Sequence, residues 1–229
     1  MRIAPCPEVG QLLTSPNMKQ ILLMIALVAL AGCHAENKKR AEESQRQSTI
    51  VEIANPILEK AIRKAAKKPT GELTEADLDK LTSLHLSRNQ LTDVKGLENT
   101  SQLKALFLNE NKLTKLTGVK GLEKLTQLKQ LELSDNQLTD VTGLEKLNQL
   151  TELNLYGNQL TEVPKELEKL TQLEVLDLNL NNLTSVTGLE KLTKLRWLDL
   201  RANSDLTKAQ IDELQKALPN CKILSNPKK

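Results

Sequence analysis

The chain has 229 residues, a formal net charge of +3, 27% charged residues and 39% hydrophobic residues, yet only 1% aromatic ones. Any core is therefore aliphatic and regular, and both charge signs are mixed throughout, so the composition argues against a nucleic-acid partner. Three cysteines and two distant histidines give no metal-ligand spacing, and no phosphate loop, nucleophile elbow or zinc-protease motif occurs; no metal, no cofactor and no enzyme activity are expected.

In chain order, Met18-Lys19-Gln20 precedes the apolar run Ile21 to Ala31, followed by Gly32-Cys33. That run is too short to span a bilayer. A basic flank, a short apolar stretch and small residues before a fixed point describe an export signal that is later removed. The string Leu30-Ala31-Gly32-Cys33 resembles the lipobox of bacterial lipoproteins. The resemblance implies a signal region over residues 1–32, starting better at Met18 than at Met1, with cleavage before Cys33 and lipidation of its thiol. A buried core helix or an ordinary cleaved signal is the competing reading. His34, where the family's sorting habit would use aspartate for retention, implies the outer membrane in a Gram-negative host. Residues 33–54 then read as a polar tether, and the protein is expected to be exported and to sit on the membrane through its lipid rather than across it.

Residues 55–80 have the makings of a helical cap. Asn55-Pro56 starts a helix over the run ILEKAIRKAAKK, with asparagine as cap and proline in the first helical position. Thr74 with Asp77 three places on starts a second, short helix.

From Leu81 to Asn203 one block recurs six times: LTSLHLSRNQL, LKALFLNENKL, LKQLELSDNQL, LTELNLYGNQL, LEVLDLNLNNL and LRWLDLRANSDL. The asparagines Asn89, Asn111, Asn136, Asn158, Asn181 and Asn203 set its phase, with spacings of 22, 25, 22, 23 and 22 residues. This is the period and pattern of leucine-rich repeats. Each L-x-L pair alternates at period two and reads as a short strand that cannot bury its own face; parallel stacking of successive strands makes a continuous leucine core. An inward asparagine carries two donors and an acceptor, so it can satisfy backbone groups of its own and the adjacent repeat where the chain turns. The second half of each repeat, as in TDVTGLEKLNQL, holds a glycine and leucines too closely spaced for a long helix, which predicts 3₁₀ or irregular turns. The pattern resembles the short repeat class of bacterial internalins and of phosphatase regulatory subunits. The resemblance implies an α/β leucine-rich-repeat solenoid: a curved horseshoe with a parallel concave sheet, a 3₁₀ or irregular convex side, and helical caps. Extra residues around Leu116 to Lys120, and Pro164 in TEVPKELEKL, are expected to enlarge convex turns only.

Residues 204–229 are expected to form the C-terminal helical cap, with Ile211, Leu214 and Leu218 on one helix face and an end near Pro219. Cys221 reads as a small buried hydrophobe.

Function is then sought on the strand positions that face away from the core. Their middle column reads His85, Phe107, Glu132, Asn154, Asp177 and Asp199, with Arg201 beside the last; Tyr156 and Trp197 flank leucine pairs on the same face. Aromatics and arginine are the usual anchors of binding surfaces. Aromatics also favour strands, and a narrow leucine core leaves them few other places. The expected activity is non-catalytic recognition of a protein, peptide or glycan partner by a monomer, with Asp177 and Asp199 complementing basic groups. The alternative, if the export signal is unused, is an intracellular scaffold regulating an enzyme such as a phosphatase.

Overall fold

The computed structural model describes residues 38–39, 41–42, 44–45, 49–116 and 121–228. The signal region, Cys33, His34 and the extra residues 117–120 lie outside the described residues. Two compact units divide at Ser48. In the first, Lys38, Lys39, Ala41, Glu42, Ser44 and Gln45 are helical. Lys38 pairs with Glu42 one turn on at 3.9 Å.

The second unit starts at Thr49, earlier than residue 55. Val51 donates to the Leu73 carbonyl at 2.8 Å, Ile50 bridges Thr74, and Ile53 is buried, so this segment already belongs to the cap. Helix α1 (Pro56–Ala65) follows, with the Asn55 carboxamide oxygen accepting from Ile57 and Leu58 N–H and with Leu58 and Ile62 buried. Helix α2 (Glu75–Leu78) is opened by Asp77, whose carboxylate accepts from the Thr74 N–H at 3.1 Å and its hydroxyl at 2.9 Å. Lys68 closes on the same carboxylate at 2.7 Å and, with these bonds, holds it down to about 2.

The repeats give strands β1 (Ser83–His85), β2 (Ala105–Phe107), β3 (Gln130–Glu132), β4 (Glu152–Asn154), β5 (Val175–Asp177) and β6 (Trp197–Asp199). A seventh, β7 (Lys222–Leu224), extends the parallel sheet beyond the six expected strands, in the order β1 to β7. The C-terminal segment is thus helix plus strand: α3 (Lys208–Ala217) buries Ile211 and Leu214, its C-cap Leu218 is buried too, and after Pro219 the chain returns to the sheet. No second leucine pair or ladder asparagine marks this strand, so the repeat pattern gives no signal for it; only Cys221 is buried there, with Ile223 partly so.

Leu84, Leu106, Leu131, Leu153, Leu176 and Leu198 lie in one register, each at most 1% exposed, and stack into the core with the second leucine of each pair. The convex side is a row of 3₁₀ turns at Leu97–Asn99, Leu122–Lys124, Leu144–Lys146, Lys165–Lys169 and Leu189–Lys191. Four open on glycine at positive φ, whose N–H is capped by the glutamate two residues on, as Gly143 by Glu145 at 2.8 Å. Pro164 replaces that glycine in the remaining turn, which is the longest.

The asparagines form a directional ladder. The Nδ2 of Asn158 donates to its own Leu155 carbonyl and to Leu133 of the preceding repeat, both at 3.0 Å, while its Oδ1 accepts the Leu138 N–H at 3.0 Å. Asn111, Asn136, Asn181 and Asn203 repeat this scheme. Asn89, at the array's start, has no preceding repeat to serve; among the described residues its amide reaches only the Ser87 carbonyl, at 2.8 Å.

Candidate functional site: the concave face

Strand register sorts the outward side chains into columns. The first runs Ser83, Ala105, Gln130, Glu152, Val175, Trp197 and Lys222; the second runs His85, Phe107, Glu132, Asn154, Asp177, Asp199 and Leu224. Two residues further along each repeat lie Ser87, Asn109, Ser134, Tyr156, Asn179 and Arg201. Phe107, Tyr156 and Trp197 therefore share the face without sharing a patch: they occupy three columns and alternate repeats. His85 and Phe107 are brought together, their rings stacked at 4.3 Å between centroids and 4° between planes. This is a favourable offset or parallel aromatic contact at the cap end of the sheet. Trp197 lies beside Val175, which is 37% exposed.

The polar members of the second column carry a local duty that the sequence reading missed. The side-chain oxygens of Asn154, Asp177 and Asp199 accept the backbone N–H two residues on, from Tyr156, Asn179 and Arg201, at 2.9, 2.9 and 3.0 Å. These are Asx turns, which satisfy the chain as it leaves the strand. Three consecutive L-[Asn/Asp]-L strings were the signal available for them.

Asp199 is not an exposed partner for basic groups. It is 1% exposed and gripped by its neighbour, with Arg201 Nε at 3.0 Å from both carboxylate oxygens and Nη2 at 2.5 Å from one. The reason is β7, which puts Leu224 beside Asp199 and leaves Arg201 as the compensating cation. Half of the Arg201 side chain remains exposed, so the pair presents a fixed guanidinium rather than an acid.

The acidic character of the face thus rests on Glu132 and Asp177, which flank Asn154, together with the exposed Glu152 of the first column. Among the described residues neither Glu132 nor Asp177 forms an ion pair, whereas Glu110, Glu168, Glu174, Asp199 and Asp205 all do. Burial pushes the Asp177 carboxyl up; the Asn179 N–H opposes this, and the charges of Asp199 and Glu132 add to the rise. Gln130 reaches Glu132 at 3.4 Å. Among the described residues no group of three His, Cys, Asp or Glu side chains could hold a metal ion, and no helix is long and apolar enough to cross a membrane. Cys221 is a buried free thiol whose pKa burial raises.

Comparison with known proteins agrees with this architecture. Family models described as leucine-rich repeat match residues 148–204 and, as pairs of repeats, residues 79–121, 101–148 and 126–169; together they cover residues 79–204, more than half of the chain. No curated protein matches the sequence. Among solved structures, the internalin InlF of Listeria monocytogenes superposes with a TM-score of 0.61 at 20% identity, covering 77% of this chain and 58% of its own. Internalin C2 of the same species gives 0.57 at 29% identity over 76% of this chain and 86% of its own. A leucine-rich-repeat protein of Leptospira interrogans gives 0.57 at 32% identity over 64% of this chain and 38% of its own. This chain accordingly spans about three fifths of InlF and well under half of the Leptospira protein. Repeat pattern, ladder, parallel sheet and these likenesses place the chain in the leucine-rich-repeat family, as a bacterial protein of internalin-like build.

Proposed function

We propose that this protein is a non-catalytic binding module that recognises a protein partner through its concave face, outside the cytoplasm, while held to a membrane by a lipid on Cys33. The observation that carries the recognition role is the half-buried acidic pair, Glu132 and Asp177, neither of which has an ion pair among the described residues, with the exposed Glu152 on the same face. An unpaired, half-buried carboxylate is costly in the free protein, and a basic partner group would offset that cost. Tyr156 and Trp197 border the pair and supply amphipathic contact area, and Arg201 supplies a positioned donor. The anchoring half rests on the Leu30 to Cys33 string.

Two measurements test the reading. Full-length protein is immobilised and exposed to cell-surface protein extracts. A species retained by the wild type and by the convex control Lys146→Glu is expected to be lost with Asp177→Lys and with Tyr156→Ala/Trp197→Ala. Equal retention by all variants moves the site off the concave face. Mass spectrometry of the mature N-terminal peptide is expected to give a diacylglyceryl Cys33; an unmodified chain beginning at Met1 or Met18 overturns the anchor.

A further inference from the structure

The cap does more than cover the first repeat. Between α1 and β1 runs a groove of about 750 Å³. Ile57, Lys60, Ala61 and Lys64 line its helical wall, and Ser83 and His85 its sheet wall. Ile57 is one of four large apolar side chains that stand exposed among the described residues. The lysines differ from the nearby basic residues Arg63 and Lys68. Arg63 is bound to Glu59 at 2.8 Å and Lys68 to Asp77 at 2.7 Å, whereas neither Lys60 nor Lys64 has an ion pair among the described residues. Among the described residues no carboxylate lines the groove. His85 belongs to the groove on one side and stacks on Phe107 on the other, so the groove opens directly onto the concave sheet.

We infer that this groove is a docking site for an acidic peptide segment of the partner, its carboxylates on Lys60 and Lys64 and its aliphatic side chains on Ile57 and Ala61. An aliphatic wall bearing two ammonium groups without ion pairs fits alternating acidic and apolar side chains. Continuity through His85 and Phe107 gives the partner a polarity. Its acidic end lies at the cap, and a basic stretch follows over Glu132 and Asp177; this second half rests on the concave reading proposed above.

Two synthetic hexapeptides, one alternating glutamate and leucine and one alternating lysine and leucine, separate the claims when titrated into the ¹⁵N-labelled full-length chain. The acidic peptide is expected to shift the amide resonances of Ile57, Ala61, Ser83 and His85. Lys60→Glu/Lys64→Glu is expected to weaken it at least about tenfold, and Lys60→Gln/Lys64→Gln less so. Tyr156→Ala/Trp197→Ala is expected to leave this binding unchanged. The basic peptide is expected to shift Glu132 and Asp177 instead; its failure there counts against the concave reading and leaves the groove standing. The groove assignment is overturned if the acidic peptide shifts only convex residues, if charge reversal leaves its affinity intact, or if the basic peptide shifts the groove residues equally. A sulfated oligosaccharide that displaces the acidic peptide and binds at least about tenfold tighter would overturn the peptide assignment.

Discussion

Removing two ladder asparagines separately should give unequal losses, because they leave different groups without partners. Asn158→Ala deletes bonds to the Leu133 and Leu155 carbonyls, but Leu133 keeps Asn136 Nδ2 at 3.0 Å and Leu155 keeps Asn181 Nδ2 at 3.0 Å. One buried group, the Leu138 N–H, is orphaned. An unsatisfied buried donor costs roughly 1–3 kcal/mol, so the variant should lose about 2–3 kcal/mol. Asn111→Ala is worse. Its Oδ1 accepts from both Asn89 and Leu91 N–H, at 3.1 and 3.0 Å, and its Nδ2 is the one donor found for the Leu86 carbonyl among the described residues. Two buried groups, the Leu91 N–H and the Leu86 carbonyl, lose their partners, with the Asn89 N–H half-exposed beside them. The expected loss is about 4–5 kcal/mol. Urea unfolding of the full-length chain, with the m-values compared to establish that the transition stays single, measures both. Equal losses, or a larger one for Asn158→Ala, would refute this hydrogen-bond accounting and make the ladder a packing feature.

Two aspartates should respond to neutralisation with opposite signs. Asp77 sits at about 2, below its ordinary 3.8, so its stabilising contribution is present above the ordinary value and is lost as pH falls through about 2; Asp77→Asn should cost about 1 kcal/mol at pH 7 after solvent screening, and little in strong acid. Asp177 is raised, so its contribution is present below the ordinary value and is lost as pH rises through the raised one. Asp177→Asn should therefore raise the melting temperature at pH 7 while weakening any basic ligand, and a fall in stability there would contradict the assigned cause. Leu180 holds φ +54° and is 47% exposed in the turn after β5, where the matching residue one repeat earlier is Gly157. Leu180→Gly should gain about 1 kcal/mol in the same unfolding assay, and a loss would show that the side chain packs usefully.

The solenoid, its strand positions and its ladder were legible because a period near 22 residues repeats leucine and asparagine with little variation. The ladder's direction was not. Which of two neighbours an inward carboxamide serves depends on where each backbone group points, and that is set by the stacking. Strand β7 was hidden because one edge strand needs no leucine pair. Burial of Asp199 followed from that same strand, so the error of taking it as an exposed acid shares one cause with the missed strand. The groove beside α1 was invisible for another reason: the helix reads as an amphipathic cap, and only its seating on β1 shows which lysines find partners.

The backward reach of the asparagines gives the array a direction of completion. The Leu138 N–H waits for Asn158, twenty residues later, just as Leu160 waits for Asn181 and Leu183 for Asn203. A chain emerging from its N-terminus therefore always carries an unfinished last turn, which the next turn closes. Only the end escapes this debt: the Leu206 N–H turns to the Asn203 carbonyl at 3.2 Å, and Asn226 Oδ1 takes the Ala202 N–H at 2.7 Å. Shortening the array from the C-terminal side thus exposes a turn built to be continued. A stable shorter protein would need the segment from Asn203 onward transplanted whole onto the new last repeat.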